Sequence, residues 1–399
     1  MSAPLEPREG TTLSGVSVGE GAVGLRSFLE VSGQEGVAIV HVFGPFLDDP
    51  ATLSRPLERA AELREVSPGA IPMISWRMMS ADTSGSFAGR FDPARQGGTL
   101  AGVARGEVDA HLIDAAGRIA DWDGRVMLRP NWEMNAPWFP WGAFDAKTGS
   151  ARPGNEPADY RAAWKRAHAI LDGGPRDAVD ARLREAGLPP LTAGGDAIAE
   201  ADPVWIWAPA HGPAQPVAAS HVTGDYYPGD AFVDWVGLDW YAHEGMTVAH
   251  VTRERPIGSD PVTRIDDFYN AYAVARGKPI ALTEWGLASA PRGEGDDPTW
   301  MRDALAWMTA HPAVKAQVYF NQAAPDVEHR LESFPEAAAV FRSAMDDGRW
   351  IRSTDATRAP ADSVPSTVML TLIAVALLIL GLAVAAGLRR RRSGRQGIT

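Results

Sequence analysis

Short apolar runs alternate with amphipathic stretches along most of the chain. Eight runs, rich in β-branched or aromatic residues, are predicted strands, at 13–18, 37–43, 71–76, 125–129, 204–208, 235–239, 279–283 and 316–320. Several lack polar alternation, which is typical of parallel strands covered on both faces. Stretches with helical spacing lie between them, at 53–65, 158–171, 177–186, 262–275, 298–309 and 335–345. This repeated order predicts an α/β fold, a single (β/α)8 TIM barrel over 13–350 that follows an N-terminal extension, 1–12.

Two predicted loops, 81–98 and 137–159, are long and follow the third and fourth strands. The first is rich in Gly and Ser, and the second contains Trp138 and Trp141. Loops after the carboxyl ends of barrel strands form the active face. Their length therefore predicts substrate-binding structure.

The C-terminal segment predicts a membrane anchor. Residues 368–388 carry no charge and precede a tail, 389–399, that contains five Arg. As a helix at ~1.5 Å per residue, the segment spans ~30 Å of hydrocarbon, so membrane lipid is an expected partner. Only Arg358 precedes it closely, and the positive-inside bias predicts a single-pass protein of the cell membrane, with the tail cytoplasmic and the barrel outside.

Residues 351–367, rich in Ser, Thr, Ala and Pro, are a predicted stalk. The first twenty residues have neither a basic nor an apolar signal region, so they do not explain the expected export.

Charge and composition exclude several classes of function. The formal net charge is −12, and the Arg-rich tail makes the rest of the chain more acidic still, which argues against a nucleic-acid partner. The absence of Cys excludes disulfides, thiolate metal sites and cysteine nucleophiles. No His, Asp and Glu grouping has metal-ligand spacing, and no glycine-rich loop has the form of a phosphate cradle. We therefore expect neither a metal nor a cofactor.

Tryptophan is unusually frequent. The chain has 14 Trp, and nine of them fall between Trp122 and Trp240. Indole rings stack on the apolar faces of sugars, so this enrichment favours a carbohydrate-binding cleft. Trp76 and Trp207 end the third and fifth predicted strands, and each either stacks on a sugar or packs in the core.

Two glutamates end apolar predicted strands. Glu133 follows the fourth in VMLRPNWEMNAPWFPWG, and Glu284 follows the seventh in PIALTEWG. A carboxylate at such a position is costly to bury unless it is paired or used in chemistry. Glycoside hydrolysis uses two carboxyl groups that flank the scissile bond. The pair therefore predicts a glycosidase.

Three motifs resemble glycoside hydrolase family 26, the β-mannanase family within the retaining (β/α)8-barrel glycosidases. The family's strand-four motif is R-P-x-H-E-M-N-G-x-W-F-x-W, and residues 129–141 read RPNWEMNAPWFPW. Its strand-six motif has Asp and Tyr two residues apart, which Asp239 and Tyr241 match. Its strand-seven nucleophile precedes an aromatic or small residue and Gly, as Glu284 precedes Trp285 and Gly286. The resemblance extends over most of residues 13–346, but only these three motifs are specific.

The resemblance implies roles for the matching residues. Glu133 is the expected acid/base and Glu284 the expected nucleophile of a retaining, double-displacement mechanism. Arg129 is expected to orient the surroundings of the nucleophile, and Tyr241 to donate a hydrogen bond to Glu284. Trp138 is expected to form the floor of the subsite at the cleaved bond. The supporting set is completed by Asn135, a substrate or second-layer contact, together with Trp132, Asp239 and Trp285.

Two departures from the family pattern bear on the substrate. Trp132 stands where family mannanases have His directly before the acid/base, and Ala136 stands where they have Gly. Loss of that His removes a polar contact to substrate but leaves the carboxylate pair intact. The expected substrate is thus a β-linked mannan, mixed-linkage glucan, xylan or another cell-surface polysaccharide, cleaved in an endo manner.

Two alternatives to hydrolysis stay open at this point. A non-catalytic carbohydrate-binding barrel would commonly have lost one carboxylate, and this chain has both. A transglycosylase would use the same two Glu, with a sugar in place of water. His41, in the second predicted strand, and His243, after Tyr241, are further candidate substrate contacts.

Overall fold

Eight parallel strands form a closed barrel in the computed structural model, which describes residues 3–47, 49, 51–79, 98–145, 149–211, 222–254, 264–324 and 326–353. The strands pair in chain order, and the last pairs with the first, Leu13 opposite Ala316. All eight predicted strands are confirmed. They are β1 Thr12–Val18, β2 Ile39–Phe46, β3 Ile71–Arg77, β4 Met127–Pro130, β5 Val204–Trp207, β6 Trp235–Tyr241, β7 Ile280–Gly286 and β8 Val314–Asn321.

Helices surround this barrel. They are α1 Gly21–Ser32, α2 Ser54–Val66, α3 Leu100–Arg105, α4 Asp109–Ala120, α5 Pro157–Leu171, α6 Arg176–Glu185, α7 Ile265–Phe268, α8 Pro298–Ala310 and α9 Pro335–Met345. The helix predicted over 262–275 differs from the observed one, because α7 continues as a π-helix over Tyr269–Val274. Three helices, α1, α3 and α4, were not predicted. In α1 two glycines in the first turn obscure the pattern, although Leu25, Phe28 and Leu29 face the core.

Close packing of β6 against its neighbours depends on one small residue, Gly237. A Cβ added to Gly237 of β6 would lie 2.7 Å from the Cβ of Ala208 and 2.8 Å from a side-chain carbon of Thr283. Any larger residue would force these segments apart. Gly237 therefore allows the approach that brings Asp239 level with Glu284, its partner in the β6–β7 register.

A buried ion pair fixes α5 against α4 and the segment that follows α6. Arg166 donates to both carboxylate oxygens of Asp109, at 2.6 and 2.5 Å. The backbone N–H of Thr192 donates to the same carboxylate at 2.8 Å. Because both charged groups are fully buried, the bidentate geometry and the added donor offset their desolvation. This pair has a structural role.

Within the described ranges, none of the helices has the length and apolar character needed to cross a bilayer. The predicted membrane span 368–388 and the tail 389–399 lie outside the described residues, as does all of the predicted stalk after residue 353. Most of the predicted loop 81–98 also lies outside them.

Candidate active site

A cavity of about 450 Å³ opens at the carboxyl ends of the barrel strands. Glu133, Asp239 and Glu284 line it, although they are distant in sequence. Aromatic rings form much of the remaining wall, contributed by Phe43, Trp132, Trp138, Phe139, Tyr241 and Phe320. Glu133 and Glu284 therefore lie in one cavity, as their positions at the ends of strands predicted.

An unusual backbone turn carries Glu133. Asn131 and Glu133 both have positive φ angles, 43° and 52°, which residues other than Gly adopt at an energetic cost. Hydrogen bonds hold the turn to both neighbouring strands. The Asn131 side chain accepts from the N–H of Met78 at 2.7 Å, and the N–H of Glu133 donates to the carbonyl of Ala208 at 2.8 Å. The turn directs the Glu133 carboxyl into the cavity.

Glu284 lies near the end of β7 and is 6% exposed. Its carboxylate accepts hydrogen bonds from the Arg129 guanidinium and, at 2.8 Å, from the Tyr241 hydroxyl. The contact that the resemblance implied for Tyr241 is thus present. Arg129 also donates to Asp239, which accepts a further bond from the Thr283 hydroxyl at 2.7 Å. Glu284 thus has a cation and a neutral hydroxyl in direct contact with its carboxylate oxygens.

The charges of the cavity require a proton on one carboxyl group. Three carboxyls face a single guanidinium in a largely buried setting, so full ionisation would leave uncompensated negative charge. Burial, and then the negative charge of Glu284, raise the pKa of Glu133 to about 7. Trp138 and Arg129 act in the opposite direction. Burial also raises the pKa of Asp239 well above its usual value, although the charge of Arg129 opposes that shift. Asp239 is ion-paired with Arg129, whereas Glu133 accepts from the neutral indole of Trp138, so the surroundings of Glu133 favour a bound proton more. Burial together with the charge of Glu284 also raises the pKa of Tyr241 well above its usual value, so its hydroxyl stays a donor.

Trp138 is the exposed aromatic residue of the cavity. Its side chain is 44% exposed, and its indole N–H donates to Oε2 of Glu133 at 2.5 Å. It therefore both contacts the carboxyl group and offers a ring face to solvent. A ring so placed can stack on the sugar next to the cleaved bond, as the resemblance implied.

Trp132 forms an apolar wall where the family mannanases have His. It is 1% exposed, and its ring centroid lies 5.4 Å from Phe43 and 5.0 Å from Phe139. The Arg129 guanidinium lies 5.6 Å from the same ring. Trp132 therefore closes one side of the cavity with a hydrophobic surface and borders the arginine that binds Glu284.

Three tryptophans among the predicted supporting residues lie away from the cavity. Trp76 and Trp207 are fully buried; the first donates to the Thr52 hydroxyl at 3.2 Å, and the second packs on Phe268 and Tyr272. Trp285 is also fully buried and donates to Gln317 at 2.6 Å. None of the three rings offers a face to a sugar, so the stacking role considered for Trp76 and Trp207 is corrected to core packing.

Asn135 acts on the backbone. Its side-chain oxygen accepts from the N–H of Ala210 at 2.8 Å, and its amide donates to the carbonyl of Ala210 at 3.0 Å. The residue is 2% exposed. Asn135 therefore lies in a second layer behind the cavity surface, where it holds the segment after β5. Of the two roles expected for it, this one fits and direct contact with substrate does not.

Several residues of the cavity were not predicted. His329 packs on the Tyr241 ring, with centroids 5.0 Å apart, and its Nδ1 lies 2.7 Å from the carbonyl of Leu287. His211 and Arg292 line the cavity too, as does the predicted candidate His243. The one available signal was position, because all four follow barrel strands. His41, the other candidate substrate contact, is buried and is not part of the cavity lining; its Nε2 lies 2.7 Å from the Ser75 hydroxyl.

No group of three or more His, Asp or Glu side chains in the described ranges is placed to hold a metal ion. The two glutamates are groups of the kind that proton transfer and nucleophilic attack on a sugar require.

Comparisons with known proteins agree with this architecture. No family model matches the chain. Endoglucanase H of Acetivibrio thermocellus is 25% identical over 327 residues, which cover 81% of this chain and 29% of that protein. The chain thus spans less than a third of that relative's length.

Solved structures of glycoside hydrolase family 26 enzymes share the fold. The catalytic domain of the endo-β-1,4-mannanase from Bacillus sp. JAMB-750 superposes with a TM-score of 0.54 at 16% identity, covering 87% of this chain and 89% of that chain. A second, GH26C from Muricauda sp., gives a TM-score of 0.53 at 16% identity, covering 89% and 91%. At this identity the likeness shows the shared barrel fold alone.

Proposed function

We propose that this protein is a retaining glycoside hydrolase of the family 26 type that cleaves a β-linked polysaccharide. The observation that carries the proposal is the difference between two carboxyl groups in one cavity. Glu133 has a pKa raised to about 7, whereas Glu284 accepts hydrogen bonds from the Arg129 guanidinium and the Tyr241 hydroxyl. Glycoside hydrolysis uses such a pair of an acid and a carboxylate, and the resemblance to family 26 supports the retaining, double-displacement course.

The reaction proceeds in two steps that use the same pair. Glu133 gives its proton to the glycosidic oxygen while Glu284 attacks the anomeric carbon, and the leaving sugar departs with the former bond's oxygen. Glu133, now ionised, then takes a proton from water as the water attacks the same carbon. The Glu284 carboxylate is released, and both residues return to their starting states.

The aromatic lining supports a polysaccharide substrate. Trp138 presents a partly exposed ring beside Glu133, and a stacked sugar would place its glycosidic oxygen near the acid. The similar proteins include an endoglucanase and an endo-β-1,4-mannanase, which supports an endo-acting enzyme on a glucan- or mannan-like chain. A xylan-like chain remains among the substrates that the sequence allows. The apolar Trp132 wall, in place of a histidine, leaves the choice among these sugars to experiment.

A polysaccharide panel tests the function. The full chain is incubated with β-mannan, mixed-linkage β-glucan and β-xylan, and new reducing ends are measured. Glu284→Ala should abolish release, and Glu133→Gln should lower it by about 10²–10⁴-fold through loss of general acid help. Glu185→Ala, at an exposed position on α6, is the matched control and should equal the wild type. Full activity in Glu284→Ala would remove Glu284 from the mechanism.

We further propose that residues 368–388 tether the enzyme to the cell membrane, with the barrel outside. The uncharged stretch and the Arg cluster after it support this proposal. Fractionation of cells that express the full chain, with protease added to intact cells, tests it. Recovery in the soluble fraction, or protection of the barrel from protease, would contradict it.

A further inference from the structure

A buried histidine lies behind the arginine that binds the two acidic residues. His41, on β2, is 1% exposed, and its ring lies 4.5 Å from that of Phe43, which lines the cavity. Its Nε2 is 2.7 Å from the Ser75 hydroxyl of β3, and that hydroxyl accepts from Nη1 of Arg129 at 3.0 Å. We propose that His41 and Ser75 are positioning residues that fix Arg129 against Glu284 and Asp239. The inference rests on the proposed function.

Ser75 links the two residues through one hydroxyl group. A guanidinium only donates, so Ser75 uses a lone pair for Arg129 and keeps its own proton and a second lone pair. A neutral His41 ring can therefore bond Ser75 through Nε2 as acceptor or as donor, according to its tautomer. Burial, and then the positive charge of Arg129, lower the pKa of His41 well below its usual value, so the ring is neutral. Each bond in such a chain polarises the next.

Arg129 needs the hydrogen bond from Nη1 to Ser75 because its Nε atom makes no hydrogen bond to the described residues. This Nε atom is buried. The hydrogen bonds of the guanidinium therefore come from its two terminal nitrogens. Nη2 bonds Asp239, and Nη1 divides its two hydrogens between Glu284 and Ser75. Removing Ser75 or its histidine partner would leave the two carboxylates and the Trp132 ring to hold the guanidinium, without the third hydrogen bond that fixes its orientation.

A matched pair of variants separates positioning from packing. His41→Gln places an amide group where Nε2 now meets Ser75, whereas His41→Leu fills a similar volume with no polar atom. We expect His41→Leu to lower kcat by about 10-fold or more, since small misplacements of catalytic groups are costly. KM should stay within about twofold, because His41 does not line the cavity. His41→Gln should retain most of kcat, with thermal unfolding recorded for both.

Ser75→Ala breaks the same chain at its middle and serves if His41→Leu fails to fold. Its kcat should fall by a similar factor, and the double variant should be no worse than the poorer single one, because both act through Arg129. A wild-type kcat in Ser75→Ala or His41→Leu would overturn the inference. Equal losses in His41→Leu and His41→Gln, or multiplied losses in the double variant, would do so too.

The controls distinguish this inference from the proposed function. If the wild type releases no sugar, or Glu284→Ala is fully active, the proposed function fails and the positioning role falls with it. If the wild type is active, Glu284→Ala is inactive and His41→Leu matches the wild type, the positioning role alone fails.

Discussion

At the scale of single residues, the central feature is the proton on Glu133. The carboxyl group is held in a half-buried position beside a second carboxylate, and its pKa of about 7 follows from burial first and from Glu284 second. Glu284 instead accepts from two donors, Arg129 and Tyr241. The different roles that we propose for the two glutamates follow from these different surroundings.

Trp138 should set the alkaline limit of activity. Its N–H bonds the ionised form of Glu133 and so lowers the pKa of that group. Trp138→Phe keeps an aromatic ring and removes the donor, and the pKa of Glu133 should then rise above about 7. Because the first step needs protonated Glu133, the alkaline limb of kcat/KM should move to higher pH.

A pH–rate profile of Trp138→Phe beside the wild type, on a soluble substrate, makes this measurement. Trp122→Phe, at a position remote from the cavity lining, is the control and should leave the limb in place. A limb that stays or moves to lower pH would show that the indole N–H does not tune the acid.

At the scale of elements, the turn after β4 places the acid. Asn131 tolerates a positive φ better than most residues, and its amide bonds the backbone of Met78 beyond β3. Glu133, two residues later, also has a positive φ and is tied to the carbonyl of Ala208. The turn bridges the ends of β3 and β5, and the aim of the carboxyl depends on it.

Replacing Asn131 by Ala should therefore impair both stability and catalysis. The N–H of Met78 would lose its buried acceptor, which costs roughly 1–3 kcal/mol of unfolding free energy. Loosening the turn should also lower kcat. Chemical denaturation and steady-state kinetics measure the two effects, and Asn270→Ala, at an exposed position, is the control. A variant with unchanged stability would mean that the amide bond to Met78 is unimportant.

The strands were predictable from the sequence, but which residues of each strand point into the cavity was not. Apolar runs marked all eight strands because each is covered on both sides. For the same reason no polar alternation indicated which residue points inward. On β7, Glu284 enters the cavity, while Trp285 packs against Trp300 and Phe341 on the helix side. Trp76 and Trp207 were ambiguous for this reason, and burial decided between the two readings.

At the scale of the whole molecule, closure of the barrel makes the site. Arg129 on β4, Asp239 on β6 and Glu284 on β7 meet although Arg129 and Glu284 are 155 positions apart in the chain. Strand-end position and motif predicted this meeting. The hydrogen-bonded series of His41, Ser75 and Arg129 could not be predicted, because strand pairing in three dimensions determines which buried polar groups are in contact.

The measurement that tests the account most directly is the anomeric form of the first product. The polysaccharide that proves best in the panel is hydrolysed by the full chain, and proton NMR follows the newly formed reducing end before mutarotation. Attack by Glu284 followed by attack of water gives two inversions, so a β-linked substrate should first yield the β-anomer. First appearance of the α-anomer would mean that water attacks directly, and would contradict the nucleophilic role of Glu284.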